Sequence, residues 1–106
     1  MDTLPEQQRL HQAILDELLE CTPESWSSIR YEVTCAWNEG SPKQLSHEII
    51  SPEGHAEQIL ASRRLLEATQ QLAVLCGREG ARWKRMNALA SSNEQDQWKL
   101  AVDFEY

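Results

Sequence analysis

The stretch DQWKLAVDFEY, residues 96–106, alternates strictly. Trp98, Leu100, Val102, Phe104 and Tyr106 are large and apolar, and Lys99, Ala101, Asp103 and Glu105 separate them. Successive side chains of a strand point to opposite faces, so this spacing predicts a strand with one buried and one wet face. Such a strand cannot stand alone. Its apolar row needs a covering layer, and its polar row is left for solvent or a partner.

Working outward, the same pattern recurs. Ile29, Tyr31, Val33, Cys35 and Trp37 alternate with Arg30, Glu32, Thr34 and Ala36, which predicts a first strand. Asn38, Gly40 and Pro42 supply turn chemistry. KQLSHEIIS (43–51) then reads as a second strand, paired antiparallel with the first, its inward set being either Leu45, His47 and Ile49 or the alternate residues. RWKRMNALA (82–90) reads as a third strand with Met86, Ala88 and Ala90 inward; Arg85 and Asn87 turn outward, and alternation puts Trp83 in the same exposed set.

Two segments have helical spacing instead. In PEQQRLHQAILDELLECTP (5–23), Leu10, Ile14, Leu18 and Cys21 form one stripe, with Pro5 suited to a first turn and Pro23 stopping the helix. From His55 to about Cys76, Ile59, Leu66 and Ala73 repeat every seven residues, predicting the longest helix, with Gly77 as its cap. The order helix, two strands, helix, two strands predicts an α+β fold, a single domain over residues 1–106. The expected architecture is a two-layer sandwich: a mostly antiparallel four-stranded sheet with two helices on one face.

Composition narrows the function. The 106 residues are 41% apolar and 25% charged, ordinary for a folded domain. No apolar run approaches the ~20 residues needed to cross a bilayer, and MDTLPEQQRL lacks the basic start and apolar stretch of a secretion signal. The expected address is the cytoplasm, with no membrane partner. Cys21, Cys35 and Cys76 are widely spaced and odd in number, which predicts reduced core or near-core thiols rather than a disulfide or zinc framework. Net charge is −7, with eleven acids and three bases in residues 1–62. Such acidity repels phosphate backbones, so no nucleic-acid partner is expected.

The chemistry-bearing motifs are absent: no phosphate loop, dinucleotide fingerprint, HExxH or nucleophile elbow occurs. His47 and Glu48 are neighbours on a strand and therefore point to opposite faces, so they make no acid–base pair. The basic cluster in GREGARWKR (77–85) suits the negative end of the preceding helix. Catalytic residues, cofactors and metal ligands are all expected to be absent, and no enzyme is predicted. What remains is the polar sheet face: Arg30, Glu32 and Thr34, then Arg85 and Asn87, then Asp103 and Glu105. Trp83, if exposed, adds an aromatic anchor for a protein partner.

Three features together resemble the YezG-like immunity proteins of bacterial polymorphic toxin systems. They are PESW (23–26) after an acidic first helix, a single long central helix followed by a strand opening on tryptophan, and the closing LAVDFEY (100–106). The similarity spans about residues 10–106. It implies a small cytosolic protein that neutralises one cognate toxin domain by stoichiometric binding; the chain itself is expected to be a monomer or weak dimer. That domain is expected to be basic and of nuclease type, and no cofactor is needed. Arg30, Glu32, Thr34, Trp83, Arg85, Asn87, Asp103 and Glu105 are then the toxin-binding candidates. The alternative is a secretion chaperone or adaptor domain that holds an extended segment of a client.

Overall fold

Six elements follow one another in the order the alternation predicts. The computed structural model describes residues 4–106: α1 (Leu4–Cys21), β1 (Ser28–Asn38), β2 (Ser41–Ile50), α2 (Arg63–Arg78), β3 (Arg85–Ser92) and β4 (Trp98–Glu105). All four strands form one antiparallel sheet in the order β2-β1-β3-β4. Strand β1 turns into β2 through Glu39 and Gly40, at φ 53° and 86°. Two positive-φ residues give the turn the twist that a two-residue hairpin requires, which is why Gly40 is there. The register opposes Leu45, His47 and Ile49 to Cys35, Val33 and Tyr31, so these three belong to the inward row of β2.

The core forms where apolar rows meet. Ile29, Tyr31 and Val33 of β1 and Met86, Ala88 and Ala90 of β3 are buried in one cluster with Leu10, Ile14 and Leu18 of α1 and Leu65, Leu72 and Ala73 of α2. Each large aliphatic side chain so buried contributes about 1.5–3 kcal/mol. Cys35 and Cys76 lie in the same core and Cys21 is half-buried; all three are free thiols. Burial pushes the Cys35 and Cys76 thiols above their ordinary range, so both stay protonated and unreactive.

Four expectations need correction. The second helix begins at Arg63, not His55, and at 16 residues is shorter than the 18-residue α1. Its start is set by Ser62, whose hydroxyl accepts the Leu65 N–H at 3.1 Å, while residues 55–61 remain irregular. At the other end, Gly80 N–H reaches the Gly77 carbonyl and Ala81 N–H the Cys76 carbonyl, with Gly80 at φ 81°. These bonds are a Schellman cap, so the capping glycine is Gly80 rather than Gly77.

Third, the helices are not two rods laid side by side on one face of the sheet. They pack chiefly against each other, and close approach to the strands is divided, with α2 at the β2 edge and α1 at the β4 edge. Finally, Trp83 is fully buried and is the largest such side chain in the domain. Regular alternation starts only at Arg85; Lys84 already enters the ladder out of step, its N–H bonding Glu105 O and its carbonyl accepting from Cys35 N–H. Trp83 therefore turns inward, edge-on to Trp37 at 6.0 Å and against Phe104 at 5.5 Å. Its carbonyl accepts the Trp37 indole N–H at 2.7 Å.

Candidate functional site

The outer side chains of the sheet assemble into rows, because antiparallel partners stand directly opposite one another. One row runs Ile50, Arg30, Leu89, Ala101 across the four strands; the next runs Glu48, Glu32, Asn87, Asp103; the third runs Ser46, Thr34, Arg85, Glu105. Seven of the eight sequence candidates thus fall on one contiguous patch. Trp83 does not; it is core. Arg30, Thr34, Arg85, Asp103 and Glu105 are exposed, and Glu32 and Asn87 are half-buried between neighbours.

Charge on this face is mixed rather than uniformly negative. Arg30 Nε lies 3.5 Å from Glu32 Oε1, and Arg85 Nε lies 3.7 Å from Glu105 Oε2. Exposed pairs of this kind are worth ~1 kcal/mol or less. Among the described residues Glu48 and Asp103 have no ion-pair partner. Glu48 stands directly opposite Glu32, a like-charge cross-strand pair that costs about 0.2–1 kcal/mol in isolation. Sequence reasoning missed Glu48 because the inward face of β2 was open; with Leu45, His47 and Ile49 inward, Glu48 must face out. It also missed Leu89, 43% exposed, at the centre of the first row. Arg30, Pro52, Asn87, Leu89, Ala101 and Asp103 together line a shallow depression of about 310 Å³.

A strap over residues 51–62 fixes one end of the face. The Glu53 carboxylate accepts the Ser27 N–H at 2.8 Å, the Ser27 hydroxyl at 2.6 Å and the Ser28 N–H at 3.1 Å. Glu57 accepts the Trp26 indole N–H at 3.0 Å, and His55 stacks on that ring at 5.5 Å. These bonds hold both carboxyls below their usual range, hydrogen bonding from Ser27 being the largest cause at Glu53 and from Trp26 at Glu57. Trp26 is buried and closes the end of the core.

The inward face carries one polar chain. Thr69 Oγ1 donates to the Leu65 carbonyl at 2.8 Å, so its single proton is committed. Tyr31 Oη therefore donates to Thr69 Oγ1 at 2.8 Å and accepts from His47 Nδ1 at 2.6 Å. Neutral His47 is thus the Nδ1–H tautomer. Burial raises the Tyr31 phenol and lowers the His47 imidazole, so both stay neutral. The chain satisfies buried polar groups and assembles no nucleophile with a base. Among the described residues no three His, Cys, Asp or Glu side chains converge as a metal-holding group, and no helix is long and apolar enough to cross a membrane.

Compared with known proteins, the chain matches no family model and no curated protein.

Proposed function

We propose that this protein is an immunity protein that neutralises a cognate bacterial toxin domain, a basic nuclease-type partner, by stoichiometric binding in the cytoplasm. What supports the proposal is the row Glu48, Glu32, Asn87, Asp103 on a sheet face that no side chain of the core needs. Two of its carboxylates oppose each other and two lack an ion-pair partner among the described residues, so a cationic surface laid on the row gains favourable pairs and relieves repulsion. Leu89, Ala101 and the Arg30 stem would provide the apolar contact in place of the buried Trp83. The breadth of a four-stranded platform suits a folded partner.

The proposal predicts a gene for a basic toxin domain beside this one, and co-expression with that domain tests it. The expected result is a one-to-one complex that restores growth, with Glu32→Lys and Asp103→Lys each weakening binding by about tenfold or more. Neither co-purification nor rescue would end it. A second function, as a chaperone-like holder of an extended client segment, draws support from the 84% exposure of Leu60 and from Leu66, which rims a groove of about 550 Å³ beside β2 and α2. Binding to an unfolded client peptide, with no binding to a folded domain, would favour that alternative.

A further inference from the structure

The two edges of the sheet are treated differently. Strand β2 carries Pro42, Lys43 and a register irregularity opposite Ala36 and Trp37, and strap residues 58–61 share a depression with His47, Glu48 and Ile49 along it. Proline, lysine, bulges and covering segments are the devices that stop an edge from pairing. Apart from the close approach of α1, strand β4 has only one of them, Lys99. Over Trp98–Glu105 it contains no proline, no glycine and no register shift, and among the described residues nothing pairs with its outer edge.

Backbone direction follows from the ladder. Glu105 turns its carbonyl to Lys84, on the β3 side. By alternation, Asp103, Ala101 and Lys99 also turn their peptide groups toward β3, and Leu100, Val102 and Phe104 turn theirs outward. The inward-row side chains of β4 are only half-buried, whereas those of β1 and β3 that anchor the core are buried. An open backbone edge and an apolar row with incomplete cover thus coincide on one strand.

We infer that β4 is a self-association edge, pairing antiparallel with β4 of a second copy about a two-fold axis at Ala101. Charge complementarity selects the occupant and the register. With Ala101 opposite its symmetry mate, Lys99 faces the partner's Asp103 twice, at non-hydrogen-bonded positions where side chains lie closest. Neither charge has an ion-pair partner among the described residues of the single chain. On the other face Leu100 meets the partner's Val102, and Trp98 meets the partner's Phe104. The methyl of Ala101 leaves room for the close approach on the axis. The outcome is a continuous eight-stranded sheet, and it does not depend on toxin binding.

Sedimentation equilibrium on the full chain tests this, with circular dichroism confirming that each variant folds. The wild type is expected to dimerise reversibly. Lys99→Asp and Asp103→Lys each put like charges at both contacts and weaken dimerisation about tenfold or more. An equimolar mixture of the two variants recovers it. In the mixed dimer one contact sets the introduced aspartate against the introduced lysine, and the other keeps the native pair of Lys99 with Asp103. Val102→Pro removes an outward N–H without touching the β3 ladder and also weakens the dimer. A wild type that stays monomeric up to ~1 mM overturns the inference. So does a dimer indifferent to both reversals, or a mixture no tighter than either variant alone.

Discussion

Gly77 and Gly80 sit three residues apart at the end of α2, and each is required for a different reason. Gly77 has ordinary helical backbone, but an added Cβ would collide with the Gly40 carbonyl oxygen and come within 2.9 Å of the Trp37 ring. The obstacle is a backbone oxygen in a tight turn, which cannot swing aside as a side-chain end can. Gly80 has open space around it but φ 81°. Replacing an interior helix glycine by alanine ordinarily gains about 1 kcal/mol. Overpacking against a fixed neighbour costs about 1–3 kcal/mol, occasionally more. Because the clash is with backbone, the upper part of that range, about 2–3 kcal/mol, applies, and the net expectation for Gly77→Ala is a loss of about 1–2 kcal/mol, lowering Tm by roughly 5–10 °C in a chain of this size. Gly77→Asn, being larger, should be worse still. At Gly80 the order reverses, because asparagine tolerates the left-handed region and alanine does not; Gly80→Ala should cost about 1–2 kcal/mol and Gly80→Asn less. Urea and thermal melts of the four variants decide it. If Gly77→Ala is as stable as wild type or more so, the close contact between α2 and the β1–β2 turn is wrong.

Other outcomes follow from the inward polar chain and its titration. Tyr31→Phe leaves His47 Nδ1–H without its acceptor and should cost about 1–2 kcal/mol; Thr69→Val strands the Tyr31 hydroxyl and should cost about as much. The double variant should cost less than the two together, by about 1 kcal/mol; strict additivity in denaturant melts would show that the hydroxyls do not share a bond. Burial holds His47 and His11 below the usual histidine value of 6.5, so the unfolded chain takes up these protons first as pH falls. Their contribution is whole above that value and is lost as pH drops from it through the folded-state pKa values. His47→Gln should flatten the decline over that interval, and an unchanged slope would mean that the ring is not buried as described.

The period-two rows of β1, β3 and β4 were legible in the sequence because each strand has one face in the core and one in water. For the same reason alternation alone places Arg30, Glu32, Thr34, Arg85, Asn87, Asp103 and Glu105 on one face. What failed did so locally. Trp83 lies just ahead of β3, and alternation extended past the true strand start gives the opposite face. The apolar spacing of Ile59, Leu66 and Ala73 imitates a helix through residues 55–61, whereas a serine hydroxyl three residues ahead of an amide settles where α2 starts. A glycine needed for clearance and a glycine needed for a left-handed cap look alike in sequence; only the approach of Gly40 separates them. The Tyr31–His47–Thr69 chain joins three elements, and no spacing along the chain announces it.

Each helix is followed by its own hairpin, and within the sheet the two units meet where β1 lies beside β3, Thr34 against Arg85 and Ser28 against Ser91. Hairpins form locally within about 1–10 μs, so β1–β2 and β3–β4 carry little of the entropic penalty of closing distant chain segments. That penalty is concentrated in a single event, the joining of the two central strands after strap and helix have been laid between them. The rate-limiting step of folding is therefore expected at this seam, and substitutions along it should slow refolding more than equally disruptive ones at either outer strand.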